Sequence, residues 1–358
     1  MPTFDIIKTA QPKKTFRVAS IMGKFDLESN QIKEHFIGDI DIDDHWQIGL
    51  IVGKSGSGKT TIAKQLFPNS YITNFEYNQE TILDDMPENC SIEEITKAFN
   101  SVGFSSPPSW LKPYSVLSNG EKMRVDLARA ILSDKHLFVF DEFTSVVDRN
   151  VAKIGSFAMQ KAIRKTNKQF IAITCHFDVK DWLLPDWVFD TDTMTFRKCE
   201  GQKKNRPDIK FEIFQTNDKS IWKMFAKHHY LSHSHNNAAI VYCAFLNDEL
   251  CGMCSVLHLP HPIAKTIKKV HRLVILPDYQ GLGIGIKLLN EIGKYYIKNG
   301  WRFTIVTSAP SLMFGLKKQK NWICKHFGRM TATSGIIHGS NDKNTNSKHR
   351  LTTSWELT

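Results

Sequence analysis

The sequence predicts an α/β protein made of two domains. The chain has 358 residues, more than the roughly 150 residues of a typical single domain. Two glycine-rich turns, at residues 53–60 and 280–285, each lie between an apolar strand pattern and an amphipathic helix pattern. Residues 201–358 carry 18 Lys and 5 Arg against 5 Asp and 4 Glu, a net charge of +14, so residues 1–200 carry −3 of the total of +11. This asymmetry predicts two domains with different partners.

Composition excludes several other classes of protein. Hydrophobic residues make up 41% of the chain and charged residues 23%, which is typical of a globular protein. The sequence has no run of 18 apolar residues and no basic-then-apolar leader, so it predicts neither a membrane span nor a signal peptide. Its seven scattered cysteines do not match a secreted disulfide framework. We therefore expect a cytoplasmic protein with reduced thiols.

A polar stretch marks the expected domain boundary. Residues 199–208 are rich in Lys, Gly, Asn and Pro and predict a linker. We expect an amino-terminal domain over residues 1–198 and a carboxyl-terminal domain over residues 209–358. Within the latter, residues 338–349 predict a loop and residues 350–357 a closing strand.

The first glycine-rich turn fits the phosphate-binding pattern G-x-x-x-x-G-K-[ST] without a mismatch. It follows the predicted strand Ile48–Val52 and precedes a predicted helix over Thr60–Phe67. Glycines let successive N–H groups point at phosphates, and the helix adds its positive dipole. We expect Lys59 to reach the β- and γ-phosphates of ATP and Thr60 to ligate Mg²⁺. The predicted nucleotide-binding residues are Gly53, Lys54, Ser55, Gly56, Ser57, Gly58, Lys59, Thr60 and Thr61.

A second apolar strand pattern, Leu137–Phe140, ends in two acidic residues. We expect Asp141 to hold Mg²⁺ and Glu142 to orient or deprotonate an attacking water. Between the two strands lies Leu117-Ser118-Asn119-Gly120-Glu121, which resembles the LSGGQ signature of the ABC ATPase family.

The resemblance to ABC ATPases extends over roughly residues 15–195. It implies that Ser118 and Gly120 contact the γ-phosphate of ATP bound by a second protomer, so we expect an ATP-dependent homodimer. It also implies that His176 senses the γ-phosphate and that residues 145–148 cross the dimer interface. Gln79 is the nearest candidate for the family's glutamine loop, and so for a further metal ligand. The stacking partner of adenine stays open between Phe25 and Phe36.

The second glycine-rich turn reads Gln280-Gly281-Leu282-Gly283-Ile284-Gly285 and lies between a predicted strand, Val270–Leu276, and a predicted helix, Ile286–Asn299. It resembles the (Q/R)-x-x-G-x-(G/A) motif of the GCN5-related N-acetyltransferase (GNAT) family. The resemblance implies that the turn's amides grip the pyrophosphate of acetyl-CoA or another acyl-CoA, while the preceding strand offers an N–H to the thioester carbonyl. The implied cofactor-binding residues are Val274, Ile275, Leu276, Gln280, Gly281, Leu282, Gly283, Ile284 and Gly285.

The remaining elements of this half follow from apolar alternation. They are a strand at residues 211–214, a helix over Asp218–His228, the strands Ala239–Phe245 and Leu250–Leu257 joined by a hairpin turn at Asn247-Asp248, and the strand Phe303–Thr307. Cys251 and Cys254 are predicted to be buried thiols on opposite faces of their strand.

Candidate groups for acyl transfer are less well defined by the pattern. The glutamate and tyrosine that the GNAT family often uses are absent at the matching places. His271 is a candidate general base, Tyr230 a candidate acid or base, and Ser308 a candidate donor. We expect the four histidines near Tyr230 to contact solvent or substrate rather than to bind a metal. They are His228, His229, His233 and His235.

Basic residues interleaved with aromatic ones suggest contact with phosphates and bases. One group precedes the second glycine-rich turn, and another follows the last predicted strand before the loop. The members are Lys265, Lys268, Lys269 and Arg272, then Phe314, Lys317, Lys318, Lys320, Trp322, Lys325 and Phe327.

The domain order resembles ATPase–acetyltransferase fusions of archaea, phages or mobile elements, and the second half resembles relatives of the phage Mu Mom protein, which modifies adenine in DNA. We therefore expect an ATP-coupled acyltransferase that acts on nucleic acid, with DNA favoured over RNA. Three alternatives stay open: acetylation of tRNA, acetylation of a protein or small amine, and a non-catalytic, ATP-switched nucleic-acid-binding or defence module.

Overall fold

A computed structural model describes residues 3–10, 15–26, 32–42, 45–72, 75–199, 210–229, 234–261, 266–329 and 351–358. Contacts group the chain into two units. The first unit comprises Met1–Asn74, Asp134–Val146 and Ile163–Asn205, and the second comprises Phe75–Ser133, Val147–Ala162 and Arg206–Thr358. The linear boundary expected at residues 199–208 stays a prediction, because all of that segment except Cys199 lies outside the described residues.

The first half of the chain alternates strands and helices. In chain order its elements are β1 (Thr3–Ala10), α1 (Phe16–Phe25), β2 (Ile32–Asp39), β3 (Ile48–Val52), α2 (Lys59–Leu66), β4 (Tyr71–Ile72), α3 (Ile92–Ser101), α4 (Pro107–Trp110), a 3₁₀ turn (Tyr114–Val116), α5 (Asn119–Leu132), β5 (Leu137–Phe140), α6 (Arg149–Ile163), β6 (Gln169–Thr174), α7 (Val179–Leu183), β7 (Trp187–Asp190) and β8 (Thr195–Lys198).

The second half is richer in strands. Its elements are β9 (Phe211–Thr216), α8 (Trp222–Ala226), β10 (Ile240–Leu246), β11 (Glu249–His258), β12 (Ile267–Ile275), a 3₁₀ turn (Pro277–Tyr279), α9 (Ile284–Lys298), β13 (Arg302–Thr307), α10 (Pro310–Lys317), β14 (Trp322–Arg329) and β15 (Leu351–Leu357).

The first unit is built on a six-stranded sheet in the order β4-β5-β6-β3-β7-β8, with a separate β1–β2 hairpin. All neighbours are parallel except β7 and β8. Every residue of β3 is buried, as expected for a central strand of a parallel sheet. The predicted strands Ile48–Val52 and Leu137–Phe140 are confirmed. Because parallel strands end at one edge, this order brings the segments after β3, β5 and β6 to the same edge of the sheet.

The second unit contains a seven-stranded sheet in the order β14-β15-β13-β12-β11-β10-β9. Its neighbours are antiparallel, apart from the parallel pair β12 and β13. The hairpin turn predicted at Asn247-Asp248 is confirmed, since both residues have positive φ as a two-residue type I′ turn requires. Helix α9 covers one face with Leu288, Leu289 and Ile292, and α8 covers the other with Trp222 and Phe225.

Helices α3, α4 and α5 and most of α6 belong to this second unit. Helix α3 packs on α5, α10 packs on α3, and Ile154 of α6 joins the core formed by α9 and the sheet. Helices from the first half of the sequence thus share a core with strands from the second half. Nothing in the sequence pattern predicted this grouping.

The bounds of several predicted elements shift by one to three residues, and two expectations differ more. The helix predicted over Asp218–His228 is shorter, Trp222–Ala226. Cys251 and Cys254 are buried as predicted, but the expectation of opposite faces is wrong, because both side chains lie in the core on the α9 side. A bulge in the β10–β11 pairing at this point adds one residue and reverses the alternation. Within the described part of the chain, no helix combines the length and apolar character needed to cross a membrane.

Asp186 ties together three segments of the first unit. Its carboxylate accepts hydrogen bonds from the backbone N–H groups of Gln47 and Ile48 at 2.7 and 2.9 Å. It also forms a two-pronged pair with Arg164, with both N–O distances 2.7 Å. Burial acts to raise the pKa of Asp186, but Arg164 and the two N–H groups outweigh it, so that the pKa lies below its ordinary value.

Replacing this carboxylate should destabilise the first unit. We expect Asp186→Asn to lower the free energy of unfolding by about 2 kcal/mol at neutral pH, because charge-assisted hydrogen bonds are lost from a half-buried site. The wild-type advantage should hold above the unfolded-state pKa of about 3.9 and vanish as the pH falls through the lowered folded-state pKa. Urea unfolding at several pH values, with the exposed Asp181→Asn as control, measures this. Equal stabilities of the two variants would contradict it.

Candidate functional site

The turn after β3 opens onto the amino terminus of α2. Gly58 caps this helix with φ 85° and no side-chain hydrogen bond, so the first N–H groups of α2 have no side-chain cap. A Cβ at Gly58 would lie 2.6 Å from the ring of Phe36, which leaves no room for a larger residue. An uncapped helix start next to a glycine-rich turn is a favourable seat for a phosphate.

The side chains of the turn hold it in shape. Lys59 is buried, and its ammonium donates to the carbonyl oxygens of Gly53 and Lys54 at 2.9 and 2.6 Å. Ser57 donates to the carbonyl of Lys54 at 2.8 Å, and the N–H of Lys54 donates to Asp192 at 2.9 Å. The positive charge of Lys59 therefore lies inside the curl of the turn, as a phosphate grip requires.

Thr60, in the first turn of α2, and Asp141, directly after β5, are two of the predicted metal ligands and meet in the structure. The Thr60 hydroxyl donates to Asp141 Oδ2 at 2.8 Å, and the N–H of Glu142 donates to Asp141 Oδ1 at 2.9 Å. Hydroxyl and carboxylate oxygens are donors that Mg²⁺ prefers, so this pair fits the metal.

Tyr71, on β4, was missed by the sequence reasoning. Its hydroxyl donates to the same oxygen, Asp141 Oδ2. Burial and the neighbouring carboxylate raise the pKa of Tyr71 above its ordinary value, so the hydroxyl keeps its proton. Only the pairing of β4 with β5 brings this residue to Asp141, and no motif marks it.

Glu142 and His176 follow the adjacent strands β5 and β6. Glu142 is exposed and has φ 52°, a left-handed conformation unusual for a non-glycine residue. His176 is half-buried, and its backbone N–H donates to the Thr174 hydroxyl at 3.2 Å. Both lie at the edge of the sheet that carries the glycine-rich turn. Their roles as general base and γ-phosphate sensor stay predictions.

Phe36 and Phe25 were the open choices for stacking on adenine. Phe36 is 9% exposed and packs in the core under Gly58, so its ring faces are already covered. Phe25, near the end of α1, is 63% exposed. Of the two, only Phe25 has a ring face available.

The LSNGE segment lies in the second unit and starts α5. Ser118 is the N-cap of that helix and forms a reciprocal capping box with Glu121. Ser118 and Asn119 are exposed, whereas Gly120 is buried. Gln79 is exposed in the same unit, where its N–H donates to Asp85 at 3.1 Å, so its proposed place among the metal ligands stays a prediction.

Strands β12 and β13 separate after a short paired stretch. Their parallel register covers only Ile267–Lys269, and no further pairing between the two occurs in the described residues 270–307. The N–H of Leu276 donates to Cys251 on the other side, at 2.9 Å. Because N–H directions alternate along a strand, the N–H of Ile275 points into the gap. Of Leu273 to Leu276, where the resemblance implies the carbonyl-binding N–H, the geometry therefore favours Ile275 over Leu276, whose donor is already used.

The second glycine-rich turn ends at Gly283, which caps α9 with φ 85° and no side-chain hydrogen bond. A Cβ at Gly283 would meet nothing within 4 Å, so the space over the helix start is open. This N-cap has nearly the same geometry as Gly58 at the start of α2. The uncapped N–H groups at and after Ile284 form a second seat for an anion, beside the β12–β13 gap.

Gln280 differs in role from the glycines of its motif, because its side chain is hydrogen-bonded within the protein. Its side-chain amide donates to the carbonyl of Ile275 at 2.9 Å and accepts from the N–H of Ser105 at 2.9 Å. It braces the loop rather than presenting its side chain to a ligand.

His271 lies on β12 with a ring that is already engaged. Its Nε2 accepts the N–H of Asn236 at 3.2 Å, and its ring centre lies 5.4 Å from that of His235. Burial, with Arg272, His235 and Lys269, lowers the pKa of His271 to about 4. The neutral ring keeps Nε2 as an acceptor, so in this arrangement that lone pair is not available to take a proton.

His235 is the neighbouring imidazole. Both of its ring nitrogens are shielded from solvent and have no hydrogen-bond partner among the described residues, and its ring lies 5.4 Å from that of Trp222. Burial, with Lys219 and Arg272, lowers the pKa of His235, which favours the neutral, proton-accepting form. Ser308 is half-buried, in the turn between the end of β13 and the start of α10. Tyr230 lies outside the described residues.

Some of the predicted basic and aromatic residues have internal contacts in the structure, and others are exposed. Lys268 stacks on Trp301 with its ammonium 4.3 Å from the ring centre, and Arg272 donates to the carbonyl of Ser234 at 3.0 Å, so these two have internal roles. Trp322 is only 4% exposed and belongs to the core. Lys269 is half-buried, and Lys265 lies outside the described residues. The other members, which we call the β14 face, are exposed: Phe314, Lys317, Lys318, Lys320, Lys325 and Phe327.

Comparison with known proteins agrees with the two motifs. A model of the acetyltransferase (GNAT) family matches residues 206–311, which confirms the prediction of a GNAT domain in the second half. A protein named as an ABC transporter ATP-binding protein, MG467 of Mycoplasma genitalium, is 31% identical over 101 residues. That alignment covers 28% of this chain and 28% of the relative, so the chain matches less than a third of its length.

Two solved structures resemble parts of the chain. The dimeric, post-hydrolysis ATP-binding cassette MJ0796 with ADP and Pi has a TM-score of 0.40 and 15% identity, covering 56% of this chain and 98% of that one. The IAA acetyltransferase from Bacillus cereus has a TM-score of 0.31 and 15% identity, covering 41% and 100%. The predicted α/β fold class is confirmed, with a mostly parallel sheet in the first unit and a mostly antiparallel sheet in the part that matches the GNAT family.

The state of His271 can be measured directly. We expect its ring to stay neutral down to a pH of about 4, because burial and nearby cations oppose protonation. The sign follows from linkage: the unfolded ring titrates near 6.5, so this group's contribution to stability is full above pH 6.5 and declines as the pH falls toward 4. An NMR titration of histidine ring protons, assigned with His271→Gln, measures it. A midpoint near 6.5 for this ring would contradict the buried arrangement.

Proposed function

We propose that the chain is an ATP-binding and ATP-hydrolysing ABC-type ATPase coupled to an acyl-CoA-dependent N-acyltransferase. The observation that carries this proposal is the pair of uncapped helix starts. Gly58 and Gly283 hold nearly the same left-handed conformation, and each leaves the amino terminus of the following helix without a side-chain cap. Two such seats in one chain suit two phosphate-bearing ligands. The GNAT match over residues 206–311 supports acyl-CoA as the second ligand.

At the first seat the chain supplies the groups that ATP hydrolysis needs. The N–H groups of α2 and the ammonium of Lys59 bind the phosphates, and Glu142 takes or orients the proton of the attacking water. Thr60 and Asp141, 2.8 Å apart, would hold Mg²⁺, which neutralises charge on the phosphate oxygens when bound. The LSNGE segment would close the site of a second protomer, so the active form is a homodimer.

Removing the proposed base should trap this dimer. We expect Glu142→Gln to bind ATP, to hydrolyse it at least about 10²-fold more slowly and to elute as a dimer only with ATP and Mg²⁺. Size-exclusion chromatography with light scattering measures the mass. Lys59→Ala in the same background is the control and should stay monomeric, because it loses the phosphate grip. A Glu142→Gln variant that remains monomeric with saturating ATP would contradict the proposal.

At the second seat the acceptor nitrogen attacks the thioester carbonyl carbon. A C–N bond forms and the C–S bond breaks; the N–H of Ile275 stabilises the negative charge on the carbonyl oxygen. The proton lost by the nitrogen passes to a base. We assign this role to His235 rather than His271, because the ring nitrogens of His235 have no hydrogen-bond partner among the described residues, whereas His271 Nε2 already accepts a hydrogen bond. The thiolate of CoA takes its proton from water or from Ser308.

We further propose nucleic acid, and DNA before RNA, as the acceptor. The +14 charge of residues 201–358 supports a polyanionic partner. On the β14 face, Phe314 and Phe327 are 48% and 65% exposed among lysines, a combination suited to base stacking with phosphate contact. A base must leave its stack before its exocyclic amine can reach an acyl donor. ATP binding and hydrolysis would drive this unstacking. The resemblance of the second half of the chain to Mom-like proteins supports DNA as the acceptor.

The acceptor can be identified from modified nucleosides. We expect mass spectrometry of DNA from expressing cells to show an acyl-modified base that disappears in Gly283→Ala, because a Cβ there intrudes on the pyrophosphate seat. Gly300→Ala is the matched control, since Gly300 also has positive φ and open space around it but follows the far end of α9. Modified tRNA with unmodified DNA would redirect the proposal to RNA. Unchanged DNA and tRNA would contradict base modification.

A further inference from the structure

The segment that leads into the second glycine-rich turn, Pro277–Gln280, is held by three segments from the first half of the chain. All of these groups belong to the second unit. The contacts come from α5, from the residues after α3 and from the start of α6. We call Pro277–Gln280 the approach segment, because it joins β12 to the proposed acyl-CoA loop.

Helix α5 contributes Arg124, which is only 1% exposed. Its guanidinium donates to the backbone carbonyl of Asp278 at 3.0 Å, and another of its nitrogens lies 3.7 Å from Asp278 Oδ1. Burial lowers the pKa of Arg124, against the opposing effect of Asp278 and Glu121. The Nε of Arg124 makes no hydrogen bond to a described residue. Burying a guanidinium with so few hydrogen-bond partners costs free energy of folding. A contribution to stability therefore does not account for the presence of Arg124 here.

The residues after α3 contact the approach segment through backbone. A Cβ at Gly103, whose φ is 85°, would lie 2.6 Å from the carbonyl oxygen of Gln280. The N–H of Ser105 donates to the Gln280 side chain, which in turn donates to the carbonyl of Ile275, each at 2.9 Å. These contacts connect the residues after α3 to Ile275, whose N–H points into the β12–β13 gap.

The third contact comes from the start of α6. The Asn150 side-chain amide donates to one carboxylate oxygen of Glu249 at 2.5 Å, and the Tyr279 hydroxyl donates to the other at 2.5 Å. Glu249 therefore links the helix that follows the 145–148 segment to the approach segment.

The first turn of α5 lies beside the same segment. A Cβ at Gly120 would lie 3.5 Å from Asp278 Oδ1, so the LSNGE segment and the approach segment are neighbours. Ser118 and Asn119 at this end of α5 are exposed, where a γ-phosphate from a second protomer could reach them. Arg124 lies on the same helix, between that end and the approach segment.

We propose that Arg124 is a positioning residue of the acyl-CoA site, which fixes the approach segment to α5 so that ATP bound at the LSNGE segment tightens acyl-CoA binding. The inference rests on the proposed ATPase and acyltransferase function. A phosphate that contacts Ser118 and Gly120 restrains the start of α5, and the restrained helix lowers the entropy lost when the acyl-CoA loop closes on its ligand. The coupling is reciprocal, so acyl-CoA must tighten ATP binding by the same factor.

The test is calorimetric titration of acetyl-CoA into the full-length Glu142→Gln protein, with and without saturating ATP and Mg²⁺. We expect ATP to lower the Kd for acetyl-CoA at least about fivefold. Adding Arg124→Gln should abolish this difference, and Arg124→Lys, which keeps the charge and one donor, should restore part of it. Arg129→Gln is the matched control, because Arg129 lies at the other end of α5 and donates to the backbone carbonyl of Glu76 instead.

Asn150→Ala is the second variant, because Asn150 is exposed and its loss should not impair folding. We expect it to reduce the ATP effect while leaving ATP-dependent dimerisation intact. A Kd for acetyl-CoA that is the same with and without ATP in the parent would overturn the inference, as would an undiminished ATP effect in a folded Arg124→Gln. Absence of any acetyl-CoA binding, by contrast, would contradict the proposed acyltransferase function itself.

Discussion

The start of an α-helix carries backbone N–H groups that must find a partner, and this constraint shapes both proposed ligand sites. At α5 the partner is the side chain of Ser118, in a capping box. At α2 and α9 a left-handed glycine, Gly58 or Gly283, takes the cap position and supplies no side chain. Those two helices therefore keep donors and a positive dipole for a ligand. The parallel sheet of the first unit and the separated strands of the second place each helix start beside the groups that complete its site.

A second physical feature is the buried positive charge of Arg124, between α5 and the approach segment. Arg124 lies in the helix that the LSNGE segment begins, yet its best hydrogen bond goes to a carbonyl in the segment leading to the acyl-CoA loop. Backbone contact at Gly103 and the Asn150–Glu249–Tyr279 bonds act on the same segment. Because these contacts lie within one compact unit, the LSNGE helix and the acyl-CoA loop share a structural support. For the proposed function, this arrangement gives a physical reason to join an ATPase to an acyltransferase in one chain.

Much of the fold could be predicted from local pattern. Strands Ile48–Val52 and Leu137–Phe140, the Asn247-Asp248 turn and both glycine-rich turns follow from apolar alternation and residue type, which are local properties. The grouping of α3 to α6 with the second sheet could not be predicted, because it depends on contacts between distant segments. For the same reason Tyr71 was missed, and the bulge at Cys251 reversed a face that simple alternation had assigned. The used donor of Leu276 also became visible only with the partner strand in place.

Hydrogen exchange measured by mass spectrometry tests the central claim, that the LSNGE helix and the acyl-CoA loop respond to ligands together. Acetyl-CoA added to the full-length Glu142→Gln protein should slow amide exchange in residues 277–287, where it binds, and also in residues 118–124 at the start of α5. Saturating ATP with Mg²⁺ should slow exchange in the same two segments. Protection confined to residues 277–287 with acetyl-CoA, and to the ATP-binding segments with ATP, would contradict the account.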